Sequence, residues 1–84
     1  MKKLRTLIVD DEDLARKNLE FLIKDYCPNV EVIGNAASAK EAVRFLKSNS
    51  IDLMLLDIEM PNGSGFELLE MIKDEINFKI IFIT

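Results

Sequence analysis

The residues best able to do chemistry in this chain are acids. Asp10, Asp11, Glu12 and Asp13 form an unbroken run after "LIV" at 7–9, and Asp57 follows the apolar run "LMLL" at 53–56. If those two apolar runs are neighbouring strands, their ends lie about 4.8 Å apart, and Asp57 faces the first acids at close range. Carboxylates so placed repel one another: either one stays protonated, or a cation sits among them. Oxygen ligands alone suit Mg²⁺, which completes its octahedron with water. The chain has no His and a single Cys, so no softer ligand set competes. A carboxylate can also attack phosphorus to give an aspartyl phosphate while Mg²⁺ offsets the phosphoryl charge. Asp57, alone at its strand end, is the candidate nucleophile. A single acid in a loop is ordinarily solvated charge, and Glu12 and Asp13 fit that reading, since acids in a helix's first turn oppose its dipole. The joint pattern of Asp10, Asp11 and Asp57 argues for a site.

Alternating elements position these acids. Leu4 to Val9 reads as a buried strand ending at the acid run. From Asp13 to Tyr26, Leu14, Ala15, Leu19, Leu22, Ile23 and Tyr26 recur at spacings of three and four, which predicts an amphipathic helix stopped by Pro28. Val30 to Ala36 is a second strand. Ser38 then opens "SAKE", a capping box with Glu41 three residues on, and a helix with Ala39, Ala42, Val43 and Leu46 on its apolar face. Ile51 to Leu56, apolar except for Asp52, is a third strand covered on both faces. The turn "PNGSG" at 61–65 leads into a helix with Ser64 and Glu67 at capping-box spacing and Leu68, Leu69 and Ile72 inward. Ile80 to Ile83 is a fourth strand, followed by Thr84. Strands alternating with helices predict an α/β fold with a parallel sheet and right-handed crossovers. Ligands of such sheets sit beyond the carboxyl ends of the strands, where Asp10, Asp11, Asp57 and Thr84 fall.

Composition narrows the classes. The 84 residues are 49% hydrophobic and 31% charged, the balance of a folded domain. A net charge of −4 argues against nonspecific binding of nucleic acid or an anionic membrane. The opening "MKKLRTLIVDDED" starts like a signal peptide, but its apolar run meets acids after three residues. No stretch is long enough to span a bilayer. One cysteine, Cys27, forms no internal disulfide and suits a reducing cytoplasm.

"LIVDDED" with "LMLLDIEMPNGSGFELL" resembles the receiver domain of two-component response regulators over the whole chain. The resemblance rests on an acid pair after the first strand, an aspartate in "LDIEMP" after the third, the glycine-bearing turn and a hydroxyl residue ending the fourth. "DLAR" and "SGFELLE" look like the subgroup with a LytTR-type DNA-binding domain downstream. The resemblance implies a flavodoxin-like, doubly wound sheet of order 2-1-3-4. It implies that Asp57 accepts a phosphoryl group from a phosphohistidine on a sensor histidine kinase or phosphotransfer protein. It also implies that Asp11, Asp57 and the backbone carbonyl of Glu59 bind Mg²⁺, with Asp10 assisting through a water. Thr84 would bond a phosphoryl oxygen and move inward as a switch, while Pro61 and Gly65 would shape the loop over the site.

The family pattern continues with a fifth strand ending in a lysine and with helices beside it, so residues 1–84 are expected to be the N-terminal portion of a receiver domain. Lys79 cannot supply that lysine, because it begins the fourth strand, about 16 Å from the site end. "IIFIT" as an edge, apolar on both faces, predicts association or strand exchange with a second copy. Two other functions compete. One is a haloacid-dehalogenase-like phosphatase, an enzyme, using Asp57 as nucleophile and Glu59 as its second acid. The other is an interaction scaffold whose site does not accept phosphate.

Overall fold

A computed structural model describes residues 2–60 and 65–83. Four parallel strands, β1 (Leu4–Val9), β2 (Val30–Ala36), β3 (Leu53–Leu56) and β4 (Lys79–Phe82), form one sheet of order β2-β1-β3-β4. Three helices connect them: α1 (Asp13–Tyr26), α2 (Ala39–Ser48) and α3 (Gly65–Ile72), the last continued by a 3₁₀ turn at Lys73–Glu75. The chain steps outward from β1 to β2, then returns past β1 to β3. That reversal creates the crevice in which an open parallel sheet collects its ligands.

Side chains alternate across the sheet, so each central strand feeds two cores. Leu7, Val9, Met54 and Leu56 point to the α2 and α3 side, where they meet Ala39, Ala42, Leu68 and Ile72. Ile8, Leu53 and Leu55 point to the α1 side and meet Ile23. Every residue from Leu53 to Leu56 is buried, as the nearly continuous apolar run required.

Three details depart from the sequence reading. On α1 only Ile23 is buried, while Leu14 (68% exposed), Leu22 (55%) and Tyr26 (77%) face outward. The predicted stripe merged two adjacent faces: Leu19 and Ile23, four residues apart, pack in the core on the α1 side of the sheet, while Leu14, Leu22 and Tyr26 are exposed. The third strand begins at Leu53 rather than Ile51, because Asp52 turns its carboxylate to the Arg5 N–H (2.8 Å) and its own N–H to the Arg5 carbonyl (2.7 Å). The fourth spans Lys79–Phe82, although the Ile83 N–H still donates to the Leu56 carbonyl at 2.9 Å.

Local signals otherwise hold. The Ser38 hydroxyl accepts from the Glu41 N–H (3.1 Å), while the Glu41 carboxylate reaches the Ala37 N–H (3.2 Å) rather than that of Ser38. The second capping box involves Ser64, which lies outside the described residues. The β1–β2 register slips between Thr6 and Leu7, so Ile33 of β2 bulges, and a Cβ on Gly34 would push the Phe45 ring aside.

Candidate functional site

The sheet's carboxyl end is built by three backbone ties. The Asp57 N–H donates to the Val9 carbonyl (2.9 Å), and the Asp10 N–H donates to the Ala36 carbonyl (3.0 Å). The Gly65 N–H donates to the Ile58 carbonyl at 3.1 Å and seats the start of α3 against the loop after β3. Parallel strands ending at the same level thus set the acids side by side. One carboxylate oxygen each from Asp10, Asp11 and Asp57 lies within 4.8 Å of the others.

Asp10 and Asp57 are held in the same way. The Asp10 Oδ1 accepts from the Glu12 N–H at 2.9 Å, and the Asp57 Oδ1 accepts from the Glu59 N–H, also at 2.9 Å. In each case a side chain captures the amide two residues on, which folds the loop. Asp10 is 8% exposed. Its carboxyl is pushed above the usual carboxylate range, first by burial and then by the charges of Asp57 and Asp11, against the lowering effect of the Glu12 amide. Asp13 behaves oppositely: Lys17, and then Arg16, hold its exposed carboxyl below that range. Asp13 therefore belongs to the helix's surface charge pattern, and Glu12 is the residue before the first turn of α1.

The donor set fits a hard cation. In an octahedron with oxygens at 2.0–2.1 Å, ligands lie about 3 to 4.2 Å apart, and the three carboxylates need only small shifts to match. Among the described residues this is the group of three or more potential metal ligands that the fold brings together. Grooves at the other end of the sheet, such as one of about 470 Å³ lined by Asp52, Ile76 and Lys79, carry no comparable cluster. Lys79 pairs with Leu53 at that far end and so stands away from Asp57. The Glu59 side chain is exposed, and its N–H is committed to Asp57. A Cβ on Gly65 would lie 2.9 Å from the Asp57 carbonyl oxygen, so only glycine lets α3 approach this closely. Thr84 and Pro61 lie outside the described residues.

Sequence reasoning passed over Arg16. Its guanidinium donates from Nη1 to the Asp10 carbonyl (2.6 Å) and from Nη2 to Asp13 (3.0 Å). The available signal was its position, one helical turn after an acid run. Among the described residues, no helix is long and apolar enough to cross a membrane.

Comparison with known proteins agrees with this fold. The sequence profile of the response regulator receiver domain matches residues 6–84. The transcriptional regulatory protein BtsR of Salmonella typhi is 40% identical over 81 residues, which are 96% of this chain and 34% of BtsR. A protein-glutamate methylesterase/protein-glutamine glutaminase of Desulfotalea psychrophila is 47% identical over 74 residues, 88% of this chain and 20% of that protein. The chain thus spans only about a third of the first of these relatives and a fifth of the second. The crystal structure of the response regulator domain of Thermotoga maritima CheB superposes with a TM-score of 0.85 at 33% identity, covering 96% of this chain and 60% of that one. The sheet order, its flavodoxin-like winding and the profile match lead to one conclusion: the chain belongs to the response regulator receiver domain family of two-component signalling.

Proposed function

We propose that the chain is a phosphoacceptor module, the N-terminal portion of a receiver domain, that takes a phosphoryl group on Asp57 from a phosphohistidine of a sensor histidine kinase or phosphotransfer protein in the cytoplasm. The observation that carries this reading is the convergence of Asp10, Asp11 and Asp57 within 4.8 Å at the carboxyl ends of adjacent strands. A carboxylate oxygen of Asp57 forms the new bond to phosphorus as the P–N bond breaks, and the departing imidazole takes a proton from solvent. Asp11, Asp57 and the Glu59 carbonyl would hold Mg²⁺, with Asp10 assisting through a water. Bound there, Mg²⁺ supplies charge neutralisation for the phosphoryl oxygens. Asp10 and Asp57 keep their loops folded through the Glu12 and Glu59 amides, so the carboxylates are oriented before the donor arrives. Thr84 is proposed to bond the phosphoryl group and act as the switch, with Pro61 and Gly65 shaping the loop above the site.

The phosphatase alternative has less support. It needs Glu59 as a second acid at the reacting centre, yet that side chain is exposed and its backbone serves Asp57. The output is open to either kind of relative, since a transcriptional regulator and a methylesterase share this segment; a LytTR-type DNA-binding output is the one we propose. Incubation with a small phosphodonor and Mg²⁺, followed by intact-mass measurement, tests the core reading. One added phosphoryl group that disappears in Asp57→Asn is expected. An unmodified mass in a chain that continues through the fifth strand and its lysine overturns phosphoacceptance, and sustained hydrolysis of a phosphomonoester would favour the phosphatase.

A further inference from the structure

We infer that Arg16 is a positioning residue for the acid cluster: its guanidinium clamps the loop between β1 and α1, so that Asp10 and Asp11 present their carboxylates toward Asp57. The inference rests on the proposed reading of that cluster as a Mg²⁺ site. Arg16 stands one turn into α1, with its own N–H bonded to the Glu12 carbonyl at 3.1 Å, so its base is rigid. From there the guanidinium bridges back across the loop to the Asp10 carbonyl at 2.6 Å and the Asp13 carboxylate at 3.0 Å. A planar fork making two such bonds has one orientation, unlike a point charge on a flexible stem. Its burial agrees: the Arg16 side chain is 14% exposed, against 67% for Lys17, which pairs with the same acid.

The consequence falls on Asp10. Its N–H is tied to Ala36 at the end of β2, one carboxylate oxygen to the amide of Glu12 just before α1, and its carbonyl to Arg16 within α1, so backbone and side chain are held from three sides. Asp11, the next residue, inherits that fixed backbone. The guanidinium bonds the carbonyl of Asp10, while the carboxylate of Asp10 is bonded by the Glu12 amide. This choice of partner separates positioning from charge. A cation near a Mg²⁺ site repels the ion, so a purely electrostatic Arg16 would weaken binding, and its removal would tighten it. A clamp predicts the opposite sign.

Calorimetric titration of the whole chain with Mg²⁺ decides between them, using wild type, Arg16→Met and Arg16→Lys, with thermal unfolding measured alongside. The methionine variant should bind Mg²⁺ about tenfold more weakly, the lower end of what outer-shell partners of metal ligands contribute. Lysine, which keeps the charge but loses the fork, should fall between the two. Should the methionine variant not fold, the lysine variant carries the test, because a charge role leaves its affinity at the wild-type value. Unchanged or tighter Mg²⁺ binding in the folded variants, with only the unfolding midpoint lowered, overturns the inference and leaves the metal site standing. Absence of Mg²⁺ binding to wild type overturns the metal site, and the inference with it.

Discussion

At the residue scale, the cluster sets stability against function at Asp10. Its carboxyl is raised by burial and by Asp57 and Asp11, so the ionised form costs stability in the metal-free chain. The sign follows from linkage: a carboxyl raised in the folded state binds its proton more tightly there than in the unfolded chain. Stability from this group is therefore lowest at neutral pH and grows as pH falls through the folded value. Asp10→Asn removes the charge but keeps an oxygen for the Glu12 amide (2.9 Å in the wild type), so the loop should persist. In EDTA at pH 7 the variant should unfold about 4–8 °C higher, the shift of roughly 1 kcal/mol in a domain this size, and it should bind Mg²⁺ more weakly. An unchanged midpoint in a metal-free melt would mean that the carboxylates are too well solvated to repel. These acids were legible in the sequence because strand ends and consecutive aspartates are local signals. Arg16 was legible only as a basic residue one turn after the acid run, because its partner at Asp10 is a backbone carbonyl, a contact that residue types do not encode.

At the scale of elements, the approach of α3 to the end of β3 decides the geometry around Asp57. Alanine at position 65, the first residue of α3, would favour the helix by at most about 1 kcal/mol, the value for a helix interior. Against that, its Cβ would lie 2.9 Å from both the Asp57 carbonyl oxygen and the Ile58 Cα. Both neighbours are backbone and cannot rotate aside, and overpacking of this kind costs about 1–3 kcal/mol. Steric cost exceeds propensity, so Gly65→Ala should lower the denaturant midpoint and also reduce phosphodonor labelling of Asp57 by moving its loop. A gain in stability without loss of labelling would show that α3 can back away freely. Element order and most boundaries were readable from apolar periodicity, from Ser38 with Glu41, and from Pro28. The extent of α1's buried face was not, since Leu14 and Leu22 carry the helical period of a core face but pack against nothing in the sheet. Periodicity reports that a face is apolar; tertiary contact decides which part of it is covered.

At the scale of the whole molecule, the two faces of the sheet are unequally covered, and β4 is an edge of the described sheet. Among the described residues, eleven buried side chains form the core on the α2 and α3 side, against four on the α1 side. On the thinner side Ile81 is 52% exposed, and the adjoining helix shows Phe21 at 69% and Leu22 at 55%. Along β4 itself Lys79 is the one charged residue, at the start of the strand, where it does little to guard the apolar stretch after it. An edge with open hydrogen-bonding groups and apolar flanks pairs readily with another strand, so we expect the 84-residue chain to associate with a second copy through β4. Sedimentation velocity across a concentration series should show a monomer giving way to dimer or larger species. Ile81→Lys, which puts a charge on the open face without touching Asp10, Asp11 or Asp57, should shift that equilibrium toward monomer. The same variant should keep its Mg²⁺ affinity, because position 81 pairs with Leu55, inside the sheet from the strand end that carries Asp57. A wild-type chain that stays monomeric throughout the series would mean that α1 and the sheet already shield the edge well enough. In that case the exposed apolar row on α1, rather than β4, is the surface left to explain.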